Sequence, residues 1–273
     1  MVNISLDSIE KDKSMMEFFA NISHELKTPI NLIYSVSQAE EYFINEANLQ
    51  KIREYNKITK QNCYRLIKLT NNIIDITKIN AGSLKPKIAC LNIVEIVENI
   101  VMSVVPYLEK RGISIIFDTD IEEEYVNIDN NFMERIILNL ISNSIKYGNN
   151  NGNISISLYH DNKDYINISV KDDGIGIPEE KHEIVFENFT QVDSLFTRRC
   201  EGSGMGLALV KSLTELQQGK IKLKSEEGQG TEIIISIPIA EIDEIACTTL
   251  NFDNIENKSI IEKMNIEFSD IYW

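Results

Sequence analysis

Apolar residues in the first third of the chain recur every three or four positions, which is the spacing of one face of an α-helix. Between residues 14 and 45 they are Phe18, Ile22, Leu26, Ile30 and Ile33. After a polar break near residue 45, a second stripe with the same spacing runs to the Ala81-Gly82 pair, a usual C-terminal signal. We therefore expect a helical hairpin over residues 14–82. Because two helices bury little surface alone, the pattern favours a homodimer whose hairpins form a four-helix bundle.

Residues 91–240 mix both periodicities, so they predict a different kind of domain. The pattern predicts helices over 93–110, 131–147 and 206–217, with strands over 113–120, 153–161, 165–173 and a hairpin over 219–239. Helices mixed with largely antiparallel strands indicate an α/β sandwich with the helices on one sheet face. The expected fold class is thus α+β and multidomain. The expected divisions are a leader 1–13, the hairpin 14–82, a linker 83–90, the sandwich 91–240 and an acidic tail 241–273 without assigned role.

Composition excludes several classes of function. The 273 residues are 43% hydrophobic and 25% charged, as in soluble globular proteins, and no run approaches a membrane span. A net charge of -15 argues against nucleic-acid partners, because phosphate backbones attract basic surfaces. The four cysteines form no CxxC motif, which predicts free thiols and a cytoplasmic location.

His24 lies off the apolar stripe of the first helix and is expected to face solvent. Such a histidine is usually only solvated, but its neighbour Glu25 can orient the ring or accept its proton, as a nucleophilic imidazole requires. Pro29 has no backbone N–H, so the carbonyl of Glu25 loses its helical partner and the helix is expected to bend beside His24.

Two downstream stretches have side chains suited to a nucleotide. On the helix RIILNLISNSIKYG, residues Asn139, Asn143 and Lys146 share one face, where amides and an ammonium can hold magnesium and phosphate oxygens. An ordinary polar face explains that pattern equally well. In VKDDGIGIP, a strand ends at Asp172 and turns through glycines, so its carboxylate can accept a hydrogen bond from an adenine amino group.

A third stretch, EGSGMGLALV, places glycines directly before an amphipathic helix. Gly202, Gly204 and Gly206 leave backbone N–H groups bare at that helix N-terminus, which is an arrangement that binds phosphate. A dinucleotide-binding fold is disfavoured, since the glycines do not closely follow a strand and no acidic residue occupies the ribose-binding place.

Taken in order, FFANISHELKTPI, NLISNSIKYG, DDGIGIP, FENFTQ and GSGMGLAL resemble the H, N, G1, F and G2 boxes of bacterial sensor histidine kinases. GQGTEIIISIP resembles the closing strand motif, and the likeness covers about residues 14–240. It implies a dimerisation and phosphotransfer hairpin followed by an ATP-binding sandwich of the Hsp90, gyrase, MutL and histidine-kinase ATPase type. Departures are small: Ser144 replaces a frequent Ala, and Met205 a common Leu.

The resemblance also implies roles for individual residues. His24 matches the phosphoacceptor, Glu25 its acid/base neighbour, and Thr28 a residue linked to dephosphorylation of the partner regulator. Asn143 matches the Mg2+ ligand, and Asp172 the carboxylate that recognises adenine. The remaining positions expected around ATP are Asn139, Lys146, Tyr147, Gly174, Gly176, Arg198, Arg199, Gly202, Gly204, Gly206, Leu207 and Thr231. A lid over about residues 178–206, anchored by Phe186 and Phe189, would carry Arg198 and Arg199, either of which can meet the γ-phosphate.

The implied activity is ATP-dependent autophosphorylation of His24 and transfer to an aspartate on the receiver domain of a response regulator. About 13 residues precede the first phosphotransfer helix, too few for a sensor domain, so we expect sensory input from a longer chain or a separate protein. Two alternatives stay open at this point. One is a clamp-type ATPase of the same superfamily, which would not need His24; the other is a pseudokinase scaffold that binds a regulator without ATP.

Overall fold

The computed structural model describes residues 2–45, 48–149, 151–161, 164–187, 204–240 and 255–271. Its helices are α1 (Val2–Asn45), α2 (Leu49–Asn80), α3 (Ile93–Glu109), α4 (Asn130–Tyr147), α5 (Gly206–Leu216) and α6 (Ile255–Glu267). Its strands are β1 (Ala89–Asn92), β2 (Ser114–Thr119), β3 (Tyr125–Ile128), β4 (Asn153–His160), β5 (Tyr165–Asp172), β6 (Lys220–Glu226) and β7 (Gly230–Pro238).

The predicted helical hairpin is present as α1 and α2. The rings of Phe43 and Tyr55 pack 5.5 Å apart where the two helices meet. The side chain of Asn48 accepts a hydrogen bond from the Lys51 N–H at 3.2 Å and so caps the start of α2. Helix α1 begins at Val2, so residues 2–13, which the sequence suggested as a leader, continue the same helix. Pro29 lies inside α1 and is buried.

The second domain is a five-stranded sheet with helices packed against it. The strand order is β2-β4-β5-β7-β6, in which β2 and β4 run parallel and every other neighbouring pair runs antiparallel. Alternate β4 residues are buried against the helices, and Ile136, Ile137 and Ile141 present the buried face of α4 to the same core. Each such side chain stabilises the fold by roughly 1.5–3 kcal/mol. The α/β sandwich inferred from alternating and helical spacing is therefore confirmed.

Two features were not predicted from sequence. Strands β1 and β3 are only four residues long and pair antiparallel as a separate two-stranded sheet. Helix α6 lies in the acidic tail, where the hydrophobic pattern is weak, yet it packs against α2, α3 and α4. Tertiary contacts rather than helical periodicity hold this segment in place.

The prediction of free thiols is only partly right. Cys63 is a free, exposed thiol on α2. Cys90, on β1, is disulfide-bonded, so the wide sequence spacing of the cysteines was no guide to their pairing.

No helix within the described ranges is both long enough and apolar enough to cross a membrane.

Candidate phosphotransfer and nucleotide site

His24 lies on the exposed surface of α1, as its position off the apolar stripe predicted. One turn later, the Thr28 hydroxyl donates a hydrogen bond to the backbone carbonyl of His24 at 3.3 Å. The two side chains therefore start from the same side of the helix, with the imidazole open to an approaching domain.

Glu25 makes its ion pair with the second helix of the hairpin. Its carboxylate accepts a hydrogen bond from the Arg65 guanidinium at 3.1 Å, and the Arg65 side chain is only 3% exposed. Sequence reasoning missed Arg65, because a lone cation between the apolar residues of α2 reads as an ordinary interruption of the stripe. The pair fixes the position of Glu25 next to His24.

Met205, at the end of the glycine-rich stretch, joins the second domain to the hairpin close to Glu25. It is buried in a small apolar cluster with Leu69 and Ile76 of α2. A narrow cleft beside it is also lined by Asn21 and Glu25, which flank His24 along α1. The loop predicted to bind phosphate is thus in contact with the phosphoacceptor helix.

Helix α4 brings the predicted amides next to the glycine-rich loop. The carboxylate of Asp129 caps its first turn, 2.9 Å from the Asn131 N–H. A side chain at Gly206 would come within 2.9 Å of the Asn139 amide oxygen and 3.9 Å of the Asn143 amide nitrogen. The start of α5 therefore lies against the Asn139 amide and within van der Waals distance of the Asn143 amide, so the two predicted phosphate-binding elements meet here.

Asp172 is buried at the end of β5 and its carboxylate is held by three donors. These are the Gly174 N–H at 3.0 Å, the Ser144 hydroxyl at 3.0 Å and the Thr231 N–H at 3.2 Å. Burial raises the pKa of Asp172, while the three hydrogen bonds act in the opposite direction. Ser144, which the sequence marked only as a departure from the common Ala, is a direct partner of the predicted adenine-recognising group.

The turn after Asp172 depends on close backbone approach. A side chain at Gly174 would collide with the backbone of Tyr147, so this glycine lets the turn lie against the end of α4. Gly176 has a φ of 67° and passes directly over the backbone of Glu226. The turn therefore brings Gly174 close to both Asp172 and Tyr147.

An unexpected set of acidic contacts reaches α4 from the C-terminal segment. Asp270 binds the Lys146 ammonium at 2.5 Å, and Glu267 accepts a hydrogen bond from the Asn139 amide at 3.1 Å. Both acidic residues also contact Lys68 of α2, at 3.1 and 3.2 Å. Spacing gave no signal for this cluster, since its members are distant in sequence.

Some predicted residues fall outside the part of the chain that the structure describes. They are Phe189, Arg198, Arg199 and Gly202, all within the stretch expected to cover the nucleotide. Gly204 and Leu207, on either side of Met205, are described and lie at the start of α5, where Gly204 has a φ of 65°.

Family models match both parts of the chain. Residues 14–82 match the His Kinase A (phospho-acceptor) domain. Residues 128–241 match the Histidine kinase-, DNA gyrase B-, and HSP90-like ATPase.

Individual relatives show the same likeness. An uncharacterized sensor-like histidine kinase of Rhizobium meliloti (strain 1021) is 32% identical over 223 residues, which are 81% of this chain and 42% of the relative. Sensor histidine kinase WalK of Bacillus subtilis (strain 168) is 30% identical over 234 residues, 85% of this chain and 38% of the relative. This chain thus spans less than half the length of these relatives.

Among solved structures, histidine kinase ThkA in complex with response regulator protein TrrA shares the fold. It matches with a TM-score of 0.62 and 23% identity, covering 85% of this chain and 64% of that one.

Proposed function

Because this chain belongs to the sensor histidine kinases of two-component systems, we propose that it transfers the γ-phosphoryl group of ATP to His24 and then to an aspartate of a response regulator. The observation that carries the proposal is the contact of Met205, in the glycine-rich loop, with both helices of the hairpin that carries His24 and Glu25. ThkA, which shares this fold, is a histidine kinase seen with a response regulator protein. A receiver domain is accordingly the proposed partner.

Phosphoryl transfer requires positioning and charge neutralisation more than covalent help from the protein. In the proposed step a ring nitrogen of neutral His24 attacks the γ-phosphorus in line. A P–N bond forms as the P–O bond to ADP breaks. Glu25, held by Arg65 at 3.1 Å, would accept the proton from the other ring nitrogen.

The residues around α4, α5 and β5 fit a nucleotide. Asp172 offers a buried carboxylate for the adenine amino group, and the bare backbone at Gly204 and Gly206 offers N–H donors for phosphate. Lys146, Asn139, Tyr147, Leu207 and Thr231 would complete the contacts. Gly206 sits against both amides of α4, where an added side chain would fill the space.

The donor set also fits Mg2+ held jointly with the nucleotide. Across the described residues there is no cluster of three or more His, Cys, Asp or Glu side chains that would form a cage for a metal. Mg2+ usually takes one or two protein ligands and completes its shell with phosphate oxygens and water. Asn143 is the proposed protein ligand, and the ion would offset the negative charge of the phosphates.

We further propose that Thr28 helps to remove the phosphoryl group from the regulator, because its hydroxyl can orient a water molecule one turn from His24. The proposed location is cytoplasmic, with sensory input from a part of a longer protein or from another chain. We propose no nucleic-acid partner, because a net charge of -15 repels phosphate backbones.

The decisive experiment is autophosphorylation with γ-labelled ATP and Mg2+, comparing the wild type with His24→Gln. We expect an acid-labile, alkali-stable label that the substitution abolishes. His160→Gln is the matched control, since His160 is another exposed histidine and pairs with Glu124 on the sheet. Nucleotide binding without any label would favour a clamp-type ATPase, label that survives in His24→Gln would mean another acceptor residue, and absence of nucleotide binding would favour a scaffold.

A further inference from the structure

The segment from α6 to Ile271 is anchored in the main hydrophobic core. Met264, Phe268 and Ile271 are buried within it, and the Phe268 ring packs 5.0 Å from the ring of Tyr107 on α3. Removal of three large apolar side chains from water favours this docked position. We call residues 255–271 the tail segment.

The tail segment directs two carboxylates at residues that the proposed function assigns to ATP. Asp270 lies 2.5 Å from the Lys146 ammonium, and Glu267 lies 3.1 Å from the Asn139 amide. The backbone carbonyl of Glu267 accepts a further hydrogen bond from Ser142 at 3.1 Å. These contacts place carboxylate oxygens of the tail segment beside the α4 side chains that are expected to hold the phosphate oxygens of the nucleotide.

The same two carboxylates reach the hairpin through one buried cation. The Lys68 ammonium of α2 lies 3.1 Å from Asp270 and 3.2 Å from Glu267, and it also donates to the Glu267 carbonyl at 2.5 Å. One anionic pair therefore bridges the hairpin and the nucleotide domain.

Asp270 and Lys68 keep their charges at neutral pH. Burial alone would raise the pKa of Asp270, but Lys146 and Lys68 outweigh it and lower that pKa to about 2. Burial opposes the charge of Lys68, yet the attraction of Asp270 and Glu267 raises its pKa. Burial lowers the pKa of Lys146, and the attraction of Asp270 opposes that shift.

We propose that the tail segment is an autoinhibitory element whose Asp270 and Glu267 compete with the phosphates of ATP for Lys146 and Asn139. The inference rests on the proposed function. With the tail segment docked, Lys68 holds the nucleotide domain against α2. When ATP displaces the carboxylates, the bridge to Lys68 breaks and the domain loses one of its contacts with α2. By linkage, the factor by which bound ATP weakens docking of the tail segment equals the factor by which docking weakens ATP binding.

The test compares two single variants of the full chain, Asp270→Asn and Glu267→Gln. Each keeps the shape of the side chain and removes its charge. Calorimetric titration with a non-hydrolysable ATP analogue and Mg2+ should show at least about tenfold tighter binding, a difference of about 1.4 kcal/mol. Glu262→Gln, an exposed carboxylate on the same helix, is the matched control and should bind like the wild type.

Hydrogen exchange on the wild type provides a second readout that requires no substitution. Saturating analogue with Mg2+ should raise amide exchange across residues 260–271 as the tail segment undocks. Unchanged exchange at saturation, or affinities of both tail variants equal to or weaker than the wild type, would overturn the inference. If His24 is labelled normally in that case, the proposed function stands without it; if no variant binds nucleotide, both fail.

Discussion

At the scale of single residues, the ion pair between Glu25 and Arg65 holds a carboxylate next to His24, the proposed phosphoacceptor. A glutamate next to histidine on a helix points to a different side of it, so adjacency alone does not orient the carboxylate. Arg65, buried on the facing helix, supplies the missing constraint at 3.1 Å. We infer that the proton acceptor is a two-residue unit that spans the hairpin.

This unit predicts that Arg65→Ala lowers the autophosphorylation rate by about 10²-fold, the lower range for loss of acid–base assistance. Glu25→Ala should have a similar effect. The double variant should be little worse than either single one, because both remove the same interaction. Initial rates with γ-labelled ATP measure this, and Arg53→Ala, an exposed arginine on the same helix, should behave like the wild type. Fully additive losses would show that the residues act separately.

Asp172 predicts a pH dependence of nucleotide affinity. Its carboxylate must be ionised to accept the adenine amino hydrogen, and burial raises its pKa. Affinity for an ATP analogue should therefore be full above that raised pKa and fall as pH drops through it. Ser144→Ala removes one hydrogen bond to the carboxylate, so the loss should begin at a higher pH than in the wild type.

Titrations of the analogue at successive pH values measure the midpoint of this loss. Ser103→Ala is the control, because the hydroxyl of Ser103 bonds only locally within α3, to the Ile100 carbonyl at 2.6 Å. Identical midpoints in the wild type and Ser144→Ala would contradict the assignment of Asp172 as the titrating group.

Thr28 predicts a separable second activity. Thr28→Ala should leave labelling of His24 within about twofold of the wild type, since a surface threonine adds little to helix stability. It should reduce dephosphorylation of a phosphorylated receiver domain by at least about tenfold. Release of phosphate from the receiver measures this, with Thr70→Ala, a similarly back-bonded threonine on α2, as control. Full phosphatase activity in Thr28→Ala would refute the role.

At the scale of elements, periodicity was enough where an element buries one continuous face. The apolar stripe of α4 includes Ile136 and Ile141, which are buried. Alternate residues along β4 include Ile154 and Ile156, which are also buried, so both elements were predictable. Helix α6 was not, because its buried Ile260 and Met264 lie among charged residues and the exposed Ile261, which leaves the hydrophobic pattern weak. Likewise, the Ser144–Asp172 bond joins residues 28 positions apart, which no local pattern encodes.

The turn between β5 and the segment that follows makes a stability prediction. Gly176→Ala must adopt a φ of 67°, which costs an L-residue about 1–2 kcal/mol, and its Cβ would also collide with the Glu226 carbonyl. Gly228→Ala has a similar φ of 80° but meets nothing within 4 Å. Urea unfolding should therefore show Gly176→Ala less stable than Gly228→Ala by about 1–3 kcal/mol, the overpacking range. Equal losses would mean that the turn relaxes around the methyl group.

At the scale of the whole molecule, the nucleotide domain is docked on α2 by contacts of different kinds. Met205 supplies an apolar contact, and Arg135 of α4 forms an ion pair with Asp75 and a 2.6 Å hydrogen bond to Asn72. The face of α2 opposite to these contacts carries exposed apolar side chains. Ile67 and Ile74, seven residues apart on α2, are 43% and 44% exposed, and Ile30 on α1 is 51% exposed.

A series of exposed apolar side chains at helical spacing is typical of a surface that a second helix pair covers. We therefore predict that the chain sediments at twice its mass of 31.2 kDa. Ile67→Glu combined with Ile74→Glu should dissociate it, because charges buried at a bundle seam lack partners. Met102→Glu, at an exposed apolar position on α3 outside the hairpin, should leave the dimer intact. A wild-type monomer at micromolar concentration would refute the dimer, and a dimer that survives both glutamates would place the interface elsewhere on the molecule.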